Sequence, residues 1–220
     1  MKYMGSKQRH AKEIFSVITS EVGGSILGSK YEVWVEPFVG GANMMSNVPK
    51  MLFSRRIGID NNLHLIEMWK ALITGWICPW AVTEDEYQEL KKKSCTSFTC
   101  IESPLIAFAG IGCSYSGKWF GGYARGNADN GTPRNYCKES ADNVNKQKMS
   151  LLDVEFYGEN YTFTENLLNG PKAIIYCDPP YQDTTKYKSS FNHAQFWQWC
   201  DKMIEKGHKV FVSEYNAPEG

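Results

Sequence analysis

Short β-prone runs alternate with helical patterns along the chain, and this alternation restricts its fold more than any other feature. The runs cover residues 33–35, 56–60, 154–157, 173–177 and 209–213, with helical patterns between most of them. Strands that alternate with helices form a mostly parallel sheet whose two faces are covered by those helices. The sequence therefore predicts an α/β protein with a doubly wound sheet.

Apolar residues at helical spacing, together with capping signals, predict the helices of this fold. Residues 83–86 form a capping box, in which a threonine and a glutamate can each bond the other's backbone N–H. Residues 112–135 are rich in Gly, Ser, Asn and aromatic residues and predict a long loop or hairpin. The predicted helices cover residues 11–18, a stretch from about Ala42, 62–74, 84–93, 105–111 with Pro104 at its start, 138–152 and 196–204.

The segment between Gly41 and Asp178 is too long for a plain doubly wound sheet. Passing from the first to the fourth strand of such a sheet requires about 70 or 80 residues when the connections have ordinary lengths. Roughly 60 further residues are therefore inserted on the same statistics. Residues 75–150 are the best candidate for this insertion.

Charge and hydropathy narrow the possible partners and location. Lys and Arg (24) balance Asp and Glu (24), so a polyanion would have to bind a local patch. The basic N-terminus is not followed by an apolar stretch, which argues against a signal peptide. No run of about 18 apolar residues is present, so no membrane span is predicted. A cytoplasmic protein is expected.

The seven cysteines predict reduced thiols rather than a disulfide framework. Their number is odd, their spacing is irregular and no Cys-x-x-Cys pair occurs. A metal site built from Cys95, Cys100, Cys113 and Cys137 is the alternative, which the lack of tight paired spacing disfavours.

The strongest chemical signal is the turn of Asp178, Pro179, Pro180 and Tyr181, directly after a buried strand. The two prolines stiffen the backbone at a point where no N–H is required. Such a turn can aim the Asp178 carboxylate and the Pro179 carbonyl at one point, which suits an amino group with two hydrogens. Tyr181 offers a flat face on which a planar base can stack. A rigid surface turn is the alternative.

Two further signals lie at the ends of the first two strands. Residues 36–41 end in Gly40 and Gly41, which allow a ligand to approach the backbone closely, although a plain tight turn explains them equally well. The absence of a Gly-x-Gly-x-x-Gly fingerprint disfavours a nicotinamide dinucleotide. Asp60 can accept hydrogen bonds from ribose hydroxyls or cap the next helix, and its position leaves both interpretations open.

In combination, these motifs resemble those of the DNA adenine methyltransferases of the Dam type. Residues 3–7 resemble the basic N-terminal cofactor motif of that family, and residues 36–41 resemble its glycine loop. Residues 59–62 are similar to the segment with the ribose-binding acid, and residues 178–181 to the catalytic motif. The resemblance extends over nearly the whole chain, in the same order of motifs.

The resemblance implies a Rossmann-like, S-adenosylmethionine-dependent methyltransferase fold. Residues 1–74 and 151–220 would form the catalytic domain, and residues 75–150 an inserted, mostly helical target-recognition region. Methyl transfer to the adenine amino group would be direct, without a covalent enzyme intermediate or a metal ion. The implied catalytic residues are Asp178, Pro179, Pro180 and Tyr181. The implied cofactor-binding residues are Tyr3, Lys7, Glu36, Pro37, Phe38, Gly40, Gly41, Asp60, Asn61 and Asp178.

Basic and aromatic residues in the N-terminal segment and the insertion are candidates for contact with DNA. Basic residues outnumber acidic ones over residues 110–148, and aromatic residues are interleaved with them. Residues 116–123 resemble, more loosely, the surroundings of the family's DNA-contacting hairpin. A solvated loop with a small aromatic cluster is the alternative. The candidate DNA-binding residues are Arg9, Lys118, Trp119, Tyr123, Arg125 and Arg134.

Two features depart from the family pattern. The family sheet continues with two more strands, whereas this sequence ends at Gly220 soon after the fifth, so a truncated protein is one expectation. The family also often carries an acid after the third strand that holds the cofactor adenine, and here Glu159 and Asn160 both remain candidates.

Two other functions remain open at this point. One is an RNA or protein amino-group methyltransferase, which the large insertion and the basic N-terminal segment disfavour. The other is a non-catalytic DNA-binding homologue. The expected partner is double-stranded DNA, bound by a monomer from a bacterium or phage, and a cognate restriction enzyme stays an open question. The sequence does not indicate the DNA target.

Overall fold

A parallel sheet of five strands forms the centre of the protein. The structure is a computed structural model and describes residues 1–23, 30–96, 98–180 and 191–214. The strands are β1 (Tyr31–Glu36), β2 (Arg55–Ile59), β3 (Val154–Tyr157), β4 (Lys172–Cys177) and β5 (Lys209–Val212). Their order is β3-β2-β1-β4-β5, and every pairing is parallel. The predicted doubly wound α/β fold is confirmed.

Helices lie between most of the strands, close to their predicted positions. The predicted capping box is present, because the N–H of Thr83 donates to the Glu86 carboxylate at 2.7 Å and the N–H of Glu86 donates to the Thr83 hydroxyl at 3.2 Å. The helices of the described residues are α1 (Ala11–Glu21), α2 (Leu63–Ile73), α3 (Glu84–Thr96), α4 (Ser103–Ala107), α5 (Tyr136–Lys148), α6 (Thr164–Leu167) and α7 (His193–Glu205). The four-residue helix α6 was not predicted.

The helix predicted from about Ala42 is wrong. That segment contains only two 3₁₀ turns, Met45–Asn47 and Lys50–Leu52. Ala42 has a φ of +50°, outside the right-handed helical region. Pro49 lacks the N–H that would bond the Met45 carbonyl in an α-helix. The composition of the stretch is compatible with a helix, but the backbone at these two positions does not permit one.

The strands alternate their side chains between two hydrophobic clusters, one on each face of the sheet. In β1, Trp34 enters the first cluster, with α1, α2 and the insertion, whereas Val33 and Val35 enter the second, with α7. In β4, Ile174 belongs to the first cluster and Ile175 to the second. A parallel strand buried on both faces is typical of a sheet covered by helices on both sides.

The predicted insertion packs on the body of the protein. Tyr87, Phe108, Cys137 and Val144 all belong to the cluster that also contains Trp34 of β1. The predicted loop at 112–135 is irregular, with single antiparallel bridges between Ser114 and Tyr123 and between Asn127 and Pro133. The domain boundaries at 74/75 and 150/151 stay a prediction. None of the helices in the described part of the chain is long and apolar enough to span a lipid bilayer.

Candidate active site

A cavity of about 610 Å³ opens at the carboxyl ends of the strands. β1 lies between β2 and β4, so the chain leaves β1 in one direction and returns to its other side after the insertion. Ligands of doubly wound sheets bind at such a switch point. All ten predicted cofactor-binding residues line this cavity: Tyr3, Lys7, Glu36, Pro37, Phe38, Gly40, Gly41, Asp60, Asn61 and Asp178.

Part of the predicted catalytic turn lies at the same place. Pro179 and Pro180 follow β4 and line the cavity beside Asp178. Tyr181, the fourth member of the turn, lies outside the described residues.

The two glycines of the loop after β1 accommodate the N-terminal segment. A Cβ atom on Gly41 would lie 2.7 Å from Cβ of Tyr3, and one on Gly40 would lie 2.9 Å from the Tyr3 ring. Gly40 also has a φ of +46°, which side chains other than glycine rarely adopt. The glycines therefore allow Tyr3 to lie against the loop and form one wall of the cavity.

Hydrogen bonds from distant parts of the chain hold this loop in place. The Trp69 indole N–H on α2 donates to the Gly40 carbonyl at 3.0 Å. The Gln147 amide on α5 donates to the Gly41 carbonyl at 2.8 Å. The N–H of Met4 donates to the Gly117 carbonyl at 3.1 Å, which ties the N-terminal segment to the insertion. The insertion is thus part of the support of the cavity.

Asp60 is oriented by backbone groups and keeps acceptor capacity towards the cavity. The N–H of Gly40 donates to one carboxylate oxygen and the N–H of Asn62 to the other, both at 2.9 Å. Asn62, not Asp60, caps α2, since its side chain accepts from the N–H of Leu65 at 3.2 Å. Burial raises the pKa of Asp60 above its ordinary value. Each oxygen retains a lone pair for a ligand hydroxyl.

Asp178 forms an ion pair with the N-terminal segment. Nζ of Lys7 lies 2.7 Å from Oδ1 of Asp178, and the two side chains are 19% and 24% exposed. This contact joins residues 171 positions apart in sequence. The pair brings a cation and an acceptor carboxylate together at the edge of the cavity, next to the two prolines.

Glu36 is a buried carboxyl group on the floor of the same cavity. Only 3% of the residue is exposed. The indole N–H of Trp34 donates to its Oε1 at 2.9 Å, and the backbone N–H of Met45 is a second donor. Burial raises the pKa of Glu36 to about 8 despite these hydrogen bonds. Glu36 therefore holds its proton to a higher pH than an exposed glutamate does.

Replacing Glu36 with Gln is expected to change how stability depends on pH. Between the ordinary pKa of 4.5 and the raised value of about 8, the folded chain keeps a proton that the unfolded chain has lost. The free energy of unfolding of the wild type therefore falls as the pH rises through this window, by a few kcal/mol on linkage grounds. Urea denaturation of Glu36→Gln at pH 5 and pH 8 should show a smaller decrease.

The control for this measurement is Glu32→Gln, on the same strand but with an exposed side chain. Its pH dependence should match that of the wild type. An equal decrease for Glu36→Gln and the wild type would contradict an uncharged Glu36.

Three aromatic rings form another part of the cavity wall. Phe38 lies 5.5 Å from Tyr161 and 5.8 Å from Phe191, measured between ring centroids. Tyr161 was not predicted as a site residue. From its place after the catalytic turn, Phe191 or Tyr187 could close the base pocket or pack under the next helix, and the sequence favoured packing; Tyr187 lies outside the described residues. Of the two candidates after β3, Asn160 lines the cavity, whereas Glu159 is not among its lining residues.

The predicted DNA-binding residues fall into a packed group and an exposed group. Trp119 is half-buried and stacks on His64 of α2 at 6.1 Å, and the hydroxyl of Tyr123 donates to the Val82 carbonyl at 2.7 Å. Lys118 is also half-buried. These side chains therefore pack within the protein and help to shape the predicted insertion.

The exposed group consists of Arg9, Arg125 and Arg134. Arg125 forms an ion pair with Glu84. Arg134 pairs with Glu139 and lies 4.5 Å above the Tyr136 ring. Neighbouring acids thus offset part of the basic surplus of the insertion, and a polyanion would compete with these exposed pairs. The DNA contacts themselves remain predictions.

The seven cysteines are free thiols, and the four candidates for a metal site differ in burial. Cys95 and Cys100 are exposed, whereas Cys113 and Cys137 are buried. The described residues contain no group of three or more His, Cys, Asp or Glu side chains placed to hold a metal ion.

Residues 3–99 and 120–217 match the protein family described as D12 class N6 adenine-specific DNA methyltransferase. The matched segments include every residue that lines the cavity. No individual curated protein matches the chain.

Proposed function

The chain belongs to the D12 class of N6 adenine-specific DNA methyltransferases, and we propose that it transfers the methyl group of S-adenosylmethionine to the exocyclic amino group of adenine in a specific DNA sequence. The observation that carries this proposal is the cavity at the β1/β4 switch point, where Asp60, Glu36 and Asp178 meet from three different strands. The family match supports DNA as the substrate.

The lining of the cavity fits such a cofactor. Asp60 offers acceptors for the ribose hydroxyls, and the aromatic wall of Phe38, Tyr161 and Phe191 suits the flat face of the adenine ring. The volume of about 610 Å³ lies in the range of ordinary ligand cavities. Tyr3, Gly40 and Gly41 would enclose the ligand from the side of the N-terminal segment. S-adenosylmethionine, when bound, supplies an activated methyl group.

Asp178 and Pro179 are proposed to activate the target amino group. The nitrogen of an adenine amino group is a poor nucleophile because its lone pair is delocalised into the ring. Acceptance of its two hydrogens by the Asp178 carboxylate and the Pro179 carbonyl would favour a pyramidal nitrogen with an available lone pair. Pro180 would hold the turn rigid, and Tyr181 would stack on the flipped base. Lys7 would keep the carboxylate oriented from its other side.

The insertion at residues 75–150 is proposed to recognise the target sequence. It packs on α2 and holds the glycine loop through Gln147, so DNA bound there would lie next to the cavity. Arg9, Lys118, Arg125 and Arg134 would contribute contacts to phosphates or bases, and Trp119 and Tyr123 would position the backbone around them.

Methyl transfer to three kinds of acceptor tests the proposal. The wild-type chain is incubated with radiolabelled S-adenosylmethionine and with double-stranded DNA, RNA or protein in parallel. Label should enter DNA alone, at the adenine amino group. Asp60→Ala, which removes the acceptors for the ribose, should lower cofactor affinity at least about 10-fold, at a cost of more than 1.4 kcal/mol, as measured by calorimetric titration.

The matched control is Asp201→Ala, which removes an exposed carboxylate on α7, away from the cavity. Incorporation of the label into RNA or protein instead of DNA would show that RNA or protein is the substrate. Salt-dependent DNA binding without cofactor binding by folded wild-type protein would instead indicate a non-catalytic homologue.

A further inference from the structure

We propose that Glu36 is an uncharged acid in the ligand-free protein and releases its proton when a cationic ligand enters the cavity, becoming the counter-charge of that ligand. The inference rests on the proposed function, since S-adenosylmethionine carries a sulfonium and an ammonium group. It adds a proton-coupled step to cofactor binding.

The surroundings of Glu36 fix its position and deprive it of solvent. The residue is 3% exposed, at the end of β1, and it lines the cavity. Trp34, itself fully buried, donates its indole N–H from the same strand, and Met45 donates its backbone N–H from the segment that follows. Two donors hold the carboxyl group without adding a full charge, so within the described part of the chain they do not give an ionised Glu36 a counter-ion.

Among the described residues, the charged groups that act on Glu36 do not provide that counter-ion. Asp178, after β4, carries the same charge and disfavours ionisation of Glu36. Lys7 is bound to Asp178 at 2.7 Å. Arg56 on β2 exerts only a minor attraction, and its guanidinium is bonded to Asp153 and to three backbone carbonyls. The Cys177 thiol, another titratable neighbour, has its pKa raised by burial and stays protonated, and the Tyr176 phenol on the same strand also lines the cavity.

A cationic ligand would supply the missing charge. With the pKa of Glu36 raised to about 8, the acid form exceeds the carboxylate by more than 10-fold at pH 6.5, as the titration relation requires. A positive charge placed beside the group favours the ionised form. The O–H bond of the acid breaks, its electron pair stays on the carboxylate, and the proton passes to the buffer. Binding of the ligand and release of the proton are then thermodynamically linked.

Calorimetric titration in buffers of different ionisation enthalpy measures this proton directly. The wild-type chain is titrated with S-adenosylmethionine at pH 6.5 in phosphate and in imidazole buffer. At this pH the ammonium group of the ligand is already charged. The difference in heat should correspond to close to one proton released, and affinity should rise about 10-fold from pH 6 to pH 7.

Two other ligands test the role of charge. 5′-Methylthioadenosine carries neither cation and should bind without proton release. S-adenosylhomocysteine carries only the ammonium group, so proton release with it assigns the effect to the ammonium, and its absence assigns the effect to the sulfonium. Either result supports a charge-driven release. Equal release with methylthioadenosine would overturn it.

Glu36→Gln is the matched variant, because glutamine copies the shape and the hydrogen bonds of the acid form. It should bind S-adenosylmethionine with heats that do not depend on the buffer and with an affinity that is flat from pH 6 to pH 7. If this variant does not fold, the wild-type titrations with the three ligands still show whether a cationic ligand causes the release of a proton. If the wild type binds S-adenosylmethionine with a heat that does not depend on the buffer, the proton release is wrong but the proposed function stands. If the folded wild type does not bind S-adenosylmethionine at all, the proposed function is wrong as well.

Discussion

Replacing Asp178 with Ala is expected to lower the rate of DNA methylation by at least about 100-fold to 1,000-fold, the range seen when one pre-oriented stabilising group is removed. The carboxylate lies at the edge of the cavity, 2.7 Å from the lysine that orients it. Without it, one of the two proposed acceptors for the amino hydrogens is lost, and Lys7 loses its ion pair with the carboxylate. The rate is measured in single turnovers at saturating cofactor and DNA, so that slower product release cannot hide the effect.

Asp178→Asn refines this test. The amide keeps one acceptor oxygen but adds a donor, and its activity should lie closer to that of Asp178→Ala than to the wild type. The exposed Asp201→Ala on α7 should retain wild-type activity. Circular dichroism and cofactor titration establish that each variant is folded. An Asp178→Ala protein that methylates DNA at the wild-type rate would refute the proposed role of the catalytic turn.

Replacing Arg56 with Met is expected to lower the free energy of unfolding by about 3–5 kcal/mol, the cost of breaking a buried charged network. The residue is 1% exposed. Its guanidinium bonds the carbonyls of Met45 and Val48 at 3.2 and 2.8 Å, and that of Ser150 at 2.7 Å. It also pairs with Asp153. Methionine fills similar space but removes the donors to the Val48 and Ser150 carbonyls and to the carboxylate, while the Met45 carbonyl keeps only the Val48 N–H.

Arg55→Met is the matched control for this prediction. Arg55 is the preceding residue of β2 and also pairs with a carboxylate, Glu155, but both side chains are 35% exposed. Its replacement should cost about 1 kcal/mol or less, as for other solvent-accessible pairs. Both variants are compared by urea denaturation, with the midpoint and slope fitted separately. Equal stability of the two variants would show that burial does not govern the strength of these contacts.

The Arg56 variant also bears on the cavity. Met45, whose carbonyl Arg56 holds, donates its N–H to Glu36 on the cavity floor. If Arg56→Met folds at low temperature, its cofactor affinity should be reduced as well, because the segment after the glycine loop loses its anchor. Among the described residues, the hydrogen bonds of the Arg55 side chain go to Glu155 and the Leu167 carbonyl and not to that segment, so Arg55→Met should bind the cofactor normally.

Much of the fold and of the candidate site follows from local sequence patterns. Alternating short apolar runs and helical periods predicted all five strands of the described sheet, since burial on both faces requires near-continuous apolar strands. The motif residues at strand ends predicted the cavity, because the carboxyl ends of parallel strands meet at one edge. Each of these patterns is formed by residues that are close together in the sequence.

Other features depend on contacts between residues far apart in sequence, and the sequence did not reveal them. The helix expected from Ala42 is absent because of the backbone at Ala42 and Pro49, and Arg56 from β2 bonds two carbonyls of that segment. Tyr161 and Phe191 complete the aromatic wall only because the fold brings them to Phe38. Trp119, expected at DNA because of its basic neighbours, stacks on His64.

The sequence by itself determined the architecture and the chemical groups of the site, because periodicity, turn chemistry and motif order are local properties of the chain. Only the tertiary structure decided the charge state and orientation of those groups. The pKa of Glu36 is raised because folding removes it from water and places Asp178 nearby, and Asp178 is oriented because Lys7 reaches it across 171 positions of sequence. Electrostatic free energies depend on distance and solvent exposure, which exist only after the chain has folded.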